Sequence, residues 1–281
     1  MTSKTSRSLI VMGLAALLFV PFAEAQRPKD SKKPRKPKPG QQQNKPQEPA
    51  KPESAPAPVA QTPPPGLDAV EGRLWRFQTG EARSTVQKFA DQADKNAYVA
   101  MAMGRVLEQE KKYGEAEGQL RKATELAASD PAPFVYLGET YLRQRKDGDA
   151  SNAFRKAADL ARSKSGSDSA YYLGVAQQRL KQYDEAISTF QSARAPEPAL
   201  IPYQIGVTQA FKENWPAAAE QLNKAIEMDS GLAYAYYYRA LAQEKLGRKD
   251  LLVNDMERFL AIAPNAPEAE QARSILRAVK R

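Results

Sequence analysis

Small residues recur in one column of this chain, at Gly104, Gly138, Gly174, Gly206 and Ala240, in steps of 34, 36, 32 and 34. The same uneven series separates Ala116, Ala150, Ala186, Ala218 and Leu252, and again Leu120, Phe154, Phe190, Leu222 and Met256. Three columns that share one irregular spacing mark an internal repeat, and a repeat constrains the fold because every unit must be the same small piece of structure. Within one unit, Phe134, Leu137, Gly138 and Tyr141 lie on one stripe of a helix. Ala150, Phe154 and Ala157 lie on a stripe of a second helix, beyond a polar turn at Lys146, Asp147 and Gly148. Gly138 and Ala150 carry almost no side chain, so the two helices are expected to approach most closely where these residues face each other. A single pair leaves apolar surface uncovered and needs copies on either side.

With Pro131 at position 1, Phe134 is at position 4, Leu137 at 7, Gly138 at 8, Tyr141 at 11, Ala150 at 20, Phe154 at 24 and Ala157 at 27. This pattern resembles the tetratricopeptide repeat, a 34-residue helix-turn-helix unit. The resemblance implies an all-α fold, a right-handed α-solenoid of helix pairs. Full units are expected at 97–130, 131–164, 167–198, 199–232 and 233–266. Ala82, Val86 and Phe89 stand 34 residues before Ala116, Leu120 and Ala123, which makes residues 63–96 a degenerate first unit. The folded domain is expected over 67–281, closed by a capping helix at 267–281 with Ala269, Ala272, Leu276 and Val279 on one side.

The chain ahead of the repeats has a different character. Lys4 and Arg7 precede an apolar run from Leu9 to Phe22, and Ala23, Glu24 and Ala25 offer small residues for cleavage, so residues 1–25 are expected to be a secretory signal peptide. Export to the periplasm, cell envelope or medium follows from that reading. Arg27, Lys29, Lys32, Lys33, Arg35, Lys36 and Lys38 pull the other way, because positive charge after the apolar run resists translocation and favours a retained topology. Residues 26–66 are Pro, Lys, Gln and Ala with hardly an aliphatic or aromatic side chain, a composition expected to form a disordered linker. Fully extended, its 41 residues would reach roughly 125 Å.

Charge is concentrated in that stretch. Residues 1–66 hold 11 Lys/Arg and 4 Asp/Glu, +7 of the net +9, which leaves the repeats at +2. The high pI is therefore no argument that the repeat domain binds nucleic acid. The basic stretch suits either an anionic envelope polymer or membrane surface, or a plain solvated spacer.

With no His and no Cys, the chain cannot build a Ser-His or Cys-His nucleophilic site or a Cys/His zinc centre. It also lacks a phosphate-cradling glycine loop, a nucleophile elbow and an EF-hand loop. The remaining carboxylates have an ordinary explanation. Glu115, Asp149, Asp184, Glu185 and Asp250 fall in the first turn of second helices, and Lys111, Lys112, Arg145, Lys146, Lys181 and Arg248 at the ends of first helices, as the helix dipole favours. No catalytic residue, metal ligand or cofactor site is expected; a carboxylate-only polysaccharide hydrolase is the remaining enzymatic reading.

In the fold that the resemblance implies, positions 2, 5, 9 and 12 of the first helices face a concave groove. Position 5 reads Met101, Val135, Tyr171, Tyr203, Tyr237 and position 9 reads Arg105, Glu139, Val175, Val207, Leu241. The last three units thus place Tyr171 and Val175, Tyr203 and Val207, and Tyr237 and Leu241 one turn apart. Such a row suits a peptide or an amphipathic helix of a protein partner, since tyrosine combines apolar area with a hydroxyl. The same side chains would also pack well against neighbouring first helices. Some relatives grip the C-terminal carboxylate of heat-shock chaperones with a basic residue at position 5 and Asn at position 9; this chain has neither. The sequence points to an exported, non-enzymatic interaction scaffold, with envelope anchoring through the basic stretch as the alternative.

Overall fold

The computed structural model describes residues 62–164 and 166–280. The expected signal peptide and most of the expected linker lie outside the described residues. Thirteen α-helices and one short 3-10 turn make up the described residues, with no strand among them. They run as pairs: α1 Ala69–Trp75 with α2 Thr79–Gln87, α3 Ala97–Gln109 with α4 Tyr113–Leu126, and α5 Pro131–Arg143 with α6 Asp147–Ser163. Then follow α7 Ser167–Arg179 with α8 Tyr183–Ser192, α9 Leu200–Phe211 with α10 Trp215–Met228, α11 Ala233–Lys245 with α12 Lys249–Ile262, and finally α13 Ala269–Val279. Each helix packs on its successor, and the first helices of adjacent pairs also touch, which is the stacking of a tetratricopeptide-type α-solenoid.

The turn inside every pair is built the same way. Phe77, Lys111, Arg145, Lys181, Glu213 and Gly247 all have φ between 56° and 73°, and they recur with the spacing of the repeat. The residue after each donates its N–H to a carbonyl five residues back, as in Lys146 to Tyr141 at 2.9 Å and Arg248 to Gln243 at 2.9 Å. This left-handed cap satisfies carbonyls that the first helix would otherwise leave open. Helix starts use the local chemistry available: the Asp130 side chain accepts from Ala132 N–H at 3.0 Å beside Pro131 at the first helical position, and the Asn96 side chain accepts from Tyr98 and Val99.

The glycine column sets how close the two helices of a pair come. A methyl group at Gly104 would lie 2.6 Å from Leu120, at Gly138 2.7 Å from Phe154, at Gly174 2.6 Å from Phe190, and at Gly206 2.7 Å from Leu222. The glycine therefore receives the side chain at position 24. The close approach expected beside position 20 is seen in the second pair, where a methyl at Gly104 would also lie 3.3 Å from the Ala116 carbonyl oxygen. Where the column departs from glycine the partner departs too: positions 8 and 24 are Val70 and Val86 in the first pair, and Ala240 and the flexible Met256 in the last, all four buried. Buried residues from α4 to α11 form one continuous cluster, with further clusters over α1 to α3, around Ala210, Ala218, Ala219 and Ala242, and over the last pair plus α13. Ala269 and Ala272 are buried there and Leu276 and Val279 half-buried, so α13 covers the end of the stack.

Gly138→Ala tests this packing. The added methyl would overlap the Phe154 ring, and overpacking costs about 1–3 kcal/mol against a helix-propensity gain of about 1 kcal/mol. Chemical denaturation should show a net loss of stability, and that loss should be smaller when Gly138→Ala is made in a Phe154→Ala background than in wild type; a more stable Gly138→Ala protein would contradict the close approach.

Candidate functional site

The six expected groove residues all stand on first helices, Tyr171 and Val175 on α7, Tyr203 and Val207 on α9, and Tyr237 and Leu241 on α11. Tyr171, Val175, Tyr203, Val207 and Tyr237 are nevertheless buried, with 2–7% of their surface exposed, and Leu241 is half-buried. They do not line an open groove. Tyr171 packs on Tyr172 and Phe190, Tyr237 on Tyr234, Tyr238 and Phe259, and Tyr203 on Tyr238 and Trp75. Tyr171 and Tyr237 are covered by rings of their own or the following helix, and Tyr203 also by a ring from α1; contacts distant in sequence add two closures.

One closure runs through the end of α1. The Trp75 ring sits edge-on to Tyr203 with centroids 5.6 Å apart, and Phe77 tilts against Tyr234 at the same distance. Between them Arg76 pairs with Asp229 at 2.8 Å and reaches Glu197 at 3.8 Å. Gly72 lets this helix approach: a methyl there would lie 2.5 Å from the Glu197 carboxylate. The second closure joins the third pair to the start of the cap. Arg143 donates to Glu268 at 2.9 Å, and the Tyr234 hydroxyl donates to the other oxygen of the same carboxylate.

A charged ladder crosses the enclosed face. Glu71 holds Arg105 through two hydrogen bonds of 2.8 and 2.9 Å, and the Arg105 guanidinium lies over the Tyr136 ring, 3.9 Å from its centre. Arg179 donates to Glu139 at 2.7 Å, and Arg143 lies 3.8 Å from Glu108. Burial raises the pKa of Glu108 above the usual carboxylate range, with Arg105 and Arg143 pulling it back. Burial likewise pushes the hydroxyls of Tyr203 and Tyr234 well above their ordinary value and that of Tyr238 up to about 12. These phenols are neutral hydrogen-bonding groups with no tendency to act as bases or nucleophiles near neutral pH. Gln178 is a further buried polar residue, donating to Thr208 at 2.7 Å.

Sequence reasoning had not singled out Glu71, Trp75, Arg76, Phe77 or Glu268. Two signals were present. Position 9 alternates Glu71, Arg105, Glu139 before it turns aliphatic, and the left-handed turn column is polar or glycine except at Phe77. A bulky residue is disfavoured in that conformation, so an aromatic there marks a position held by contacts elsewhere.

With this geometry in place, the class of structure is defined: a tetratricopeptide-repeat solenoid whose inner face is closed by its own first helix and cap. The tetratricopeptide repeat family model matches residues 137–199 and 203–267. Protein unc-45 homolog B of Danio rerio is 31% identical over 101 residues, 36% of this chain but only 11% of that protein. Among solved structures, TTC0263, a thermophilic tetratricopeptide-repeat protein of Thermus thermophilus, aligns with a TM-score of 0.52 at 18% identity, covering 66% of this chain and 98% of its own. YrrB, described as a tetratricopeptide-repeat protein with an unusual peptide-binding site, aligns at 20% identity over 67% of this chain and 97% of its own, with a TM-score of 0.37. The matched family is that of a repeat found in protein-interaction scaffolds, and no family of enzymes is indicated.

Replacing Glu268 removes the acceptor of both Arg143 and Tyr234. Glu268→Ala should cost about 1–3 kcal/mol and speed amide exchange in α11 and α13 while leaving α4 unchanged. Exchange that rises evenly along the chain, or not at all, would show that this contact does not hold the ends together.

Proposed function

We propose that this chain is an exported, non-enzymatic scaffold that binds a segment of a partner protein on the inner face of its solenoid. The observation that carries the reading is that this face already holds a helical segment, the chain's own α1, through the Trp75 contact with Tyr203 and the Phe77 contact with Tyr234. A wall that accepts aromatic side chains from one helix has the chemistry to accept them from another. Aromatic rings with neutral hydroxyls and paired charges offer both apolar area and hydrogen bonds, a mixture typical of interaction hot spots. The groove residues Tyr171, Val175, Tyr203, Val207, Tyr237 and Leu241 then act as the floor beneath the contact, reached once the ends separate.

Burial decides how this is tested. Changing Tyr171, Tyr203 and Tyr237 together to Ala would empty several core positions, each at a cost of about 3–5 kcal/mol, and unfold the domain. A sounder variant removes only the closing rings: Trp75→Ala with Phe77→Gly, glycine being at ease in the left-handed turn. Used as bait in envelope extract, the opened protein should retain a specific partner at least several-fold better than wild type. Equal recovery by both, with helicity preserved, would place the contact surface away from the inner face.

A second reading rests on the charge partition, which puts +7 of the net +9 on residues 1–66. In it the basic stretch holds the repeats near an anionic polymer or membrane surface. Retention on envelope fractions should then fall as salt rises and disappear on deleting residues 27–51; retention unchanged by that deletion would remove this reading.

A further inference from the structure

The contact made by Trp75, Arg76 and Phe77 has the features of a recognition site rather than of ordinary packing between repeats. Neighbouring units in this stack meet through apolar stripes and single ion pairs such as Glu71 with Arg105, but here three consecutive residues at the end of a helix enter three matched positions. Tyr203 and Tyr234 stand on either side, and the carboxylates of Asp229 and Glu197 lie between them. Asp229 is held in place, its Oδ1 accepting the Gly231 N–H at 2.9 Å while its Oδ2 meets Arg76. Gly231 leaves room for the stem of the arginine: a methyl there would lie 3.1 Å from the Arg76 Cγ. The segment that fills the site pays a conformational cost to do so, since Phe77 is the bulky member of a turn column that elsewhere holds Lys111, Arg145, Lys181, Glu213 and Gly247.

We infer that Tyr203, Tyr234, Asp229 and Glu197 form a docking site for an aromatic–arginine–aromatic motif at the end of a partner's helix, which the chain's own residues 75–77 occupy in the absence of that partner. The inference rests on the inner-face reading above and names the partner's chemistry. Charge complementarity excludes an acidic segment, because two carboxylates converge on one point of the site. Two facing rings set on either side of that point require an aromatic residue before and after the cation. The resident segment and the partner compete for the same four side chains, so the effective affinity for a partner is lowered by the fraction of time that residues 75–77 are in place.

The probe is a fluorescein-labelled peptide copying residues 66–80, titrated into the full chain carrying Trp75→Ala, Arg76→Ala and Phe77→Gly. Fluorescence anisotropy should rise to saturation with this variant and at least ten-fold more weakly with wild type, whose own segment competes. Adding Asp229→Asn to the variant should weaken the peptide at least ten-fold, and a peptide in which the arginine is glutamate should not bind. Should the triple variant fail to fold, Arg76→Glu, which repels Asp229 and Glu197 but keeps both rings, carries the same expectations. A folded variant that shows no saturable binding, or binds the glutamate peptide equally well, overturns the motif while leaving open-groove capture of a different partner intact. Binding of a second full-length chain without binding of the free peptide also overturns it, in favour of exchange between copies.

Discussion

Everything in this fold depends on one contact repeated along the chain, the seating of a position 24 side chain against a residue with little or no side chain at position 8. Phe154 against Gly138 and Phe190 against Gly174 bring paired helices close together, and the position 20 alanines Ala150 and Ala186 are almost fully buried. That spacing fixes the angle and rise of each pair, and the stack inherits both. The exceptions follow the same rule of volume. Val70 is matched with Val86, and Ala240 with the unbranched Met256, so a larger group on one side meets a narrower or more adaptable one on the other.

The architecture was legible because it is periodic. Columns such as Gly104 to Ala240 announce the helix pairs, the proline at the start of α5 and the acids in the first turns of second helices. Tyr171, Tyr203 and Tyr237 were legible as equivalent residues of successive first helices, and they stand on α7, α9 and α11. Their packing against neighbouring helices was legible too; the reach of Trp75 and Phe77 to Tyr203 and Tyr234 was not. Trp75 and Tyr203 are 128 positions apart, and nothing in either neighbourhood names the other.

The charged residues of the inner face illustrate the same limit from another side. Glu71, Arg105 and Glu139 read as solvated groups in isolation, yet the side chains of Arg105 and Glu71 are only 12% and 17% exposed. Enclosed pairs of this kind contribute less to stability than their short distances suggest, because desolvation opposes the attraction, while removing one partner leaves a costly unpaired charge. Their effect is to hold adjacent first helices in one register, since an arginine stacked on Tyr136 and donating from one terminal nitrogen to both oxygens of Glu71 has no equivalent placement a turn away.

The join between the two ends also changes how such a chain reaches its folded state. A plain solenoid is assembled from short-range contacts, so any pair can form early and growth proceeds along the axis. Here Arg143 and Glu268 are 125 positions apart, and their meeting requires nearly every intervening pair to be in place first. Contacts of such long sequence separation form slowly because the loop they close must lose its freedom before they can reward it. The helix pairs therefore assemble first and the ends meet last, which gives an otherwise local, step-by-step folding process a single late event that binds its parts into one cooperative unit.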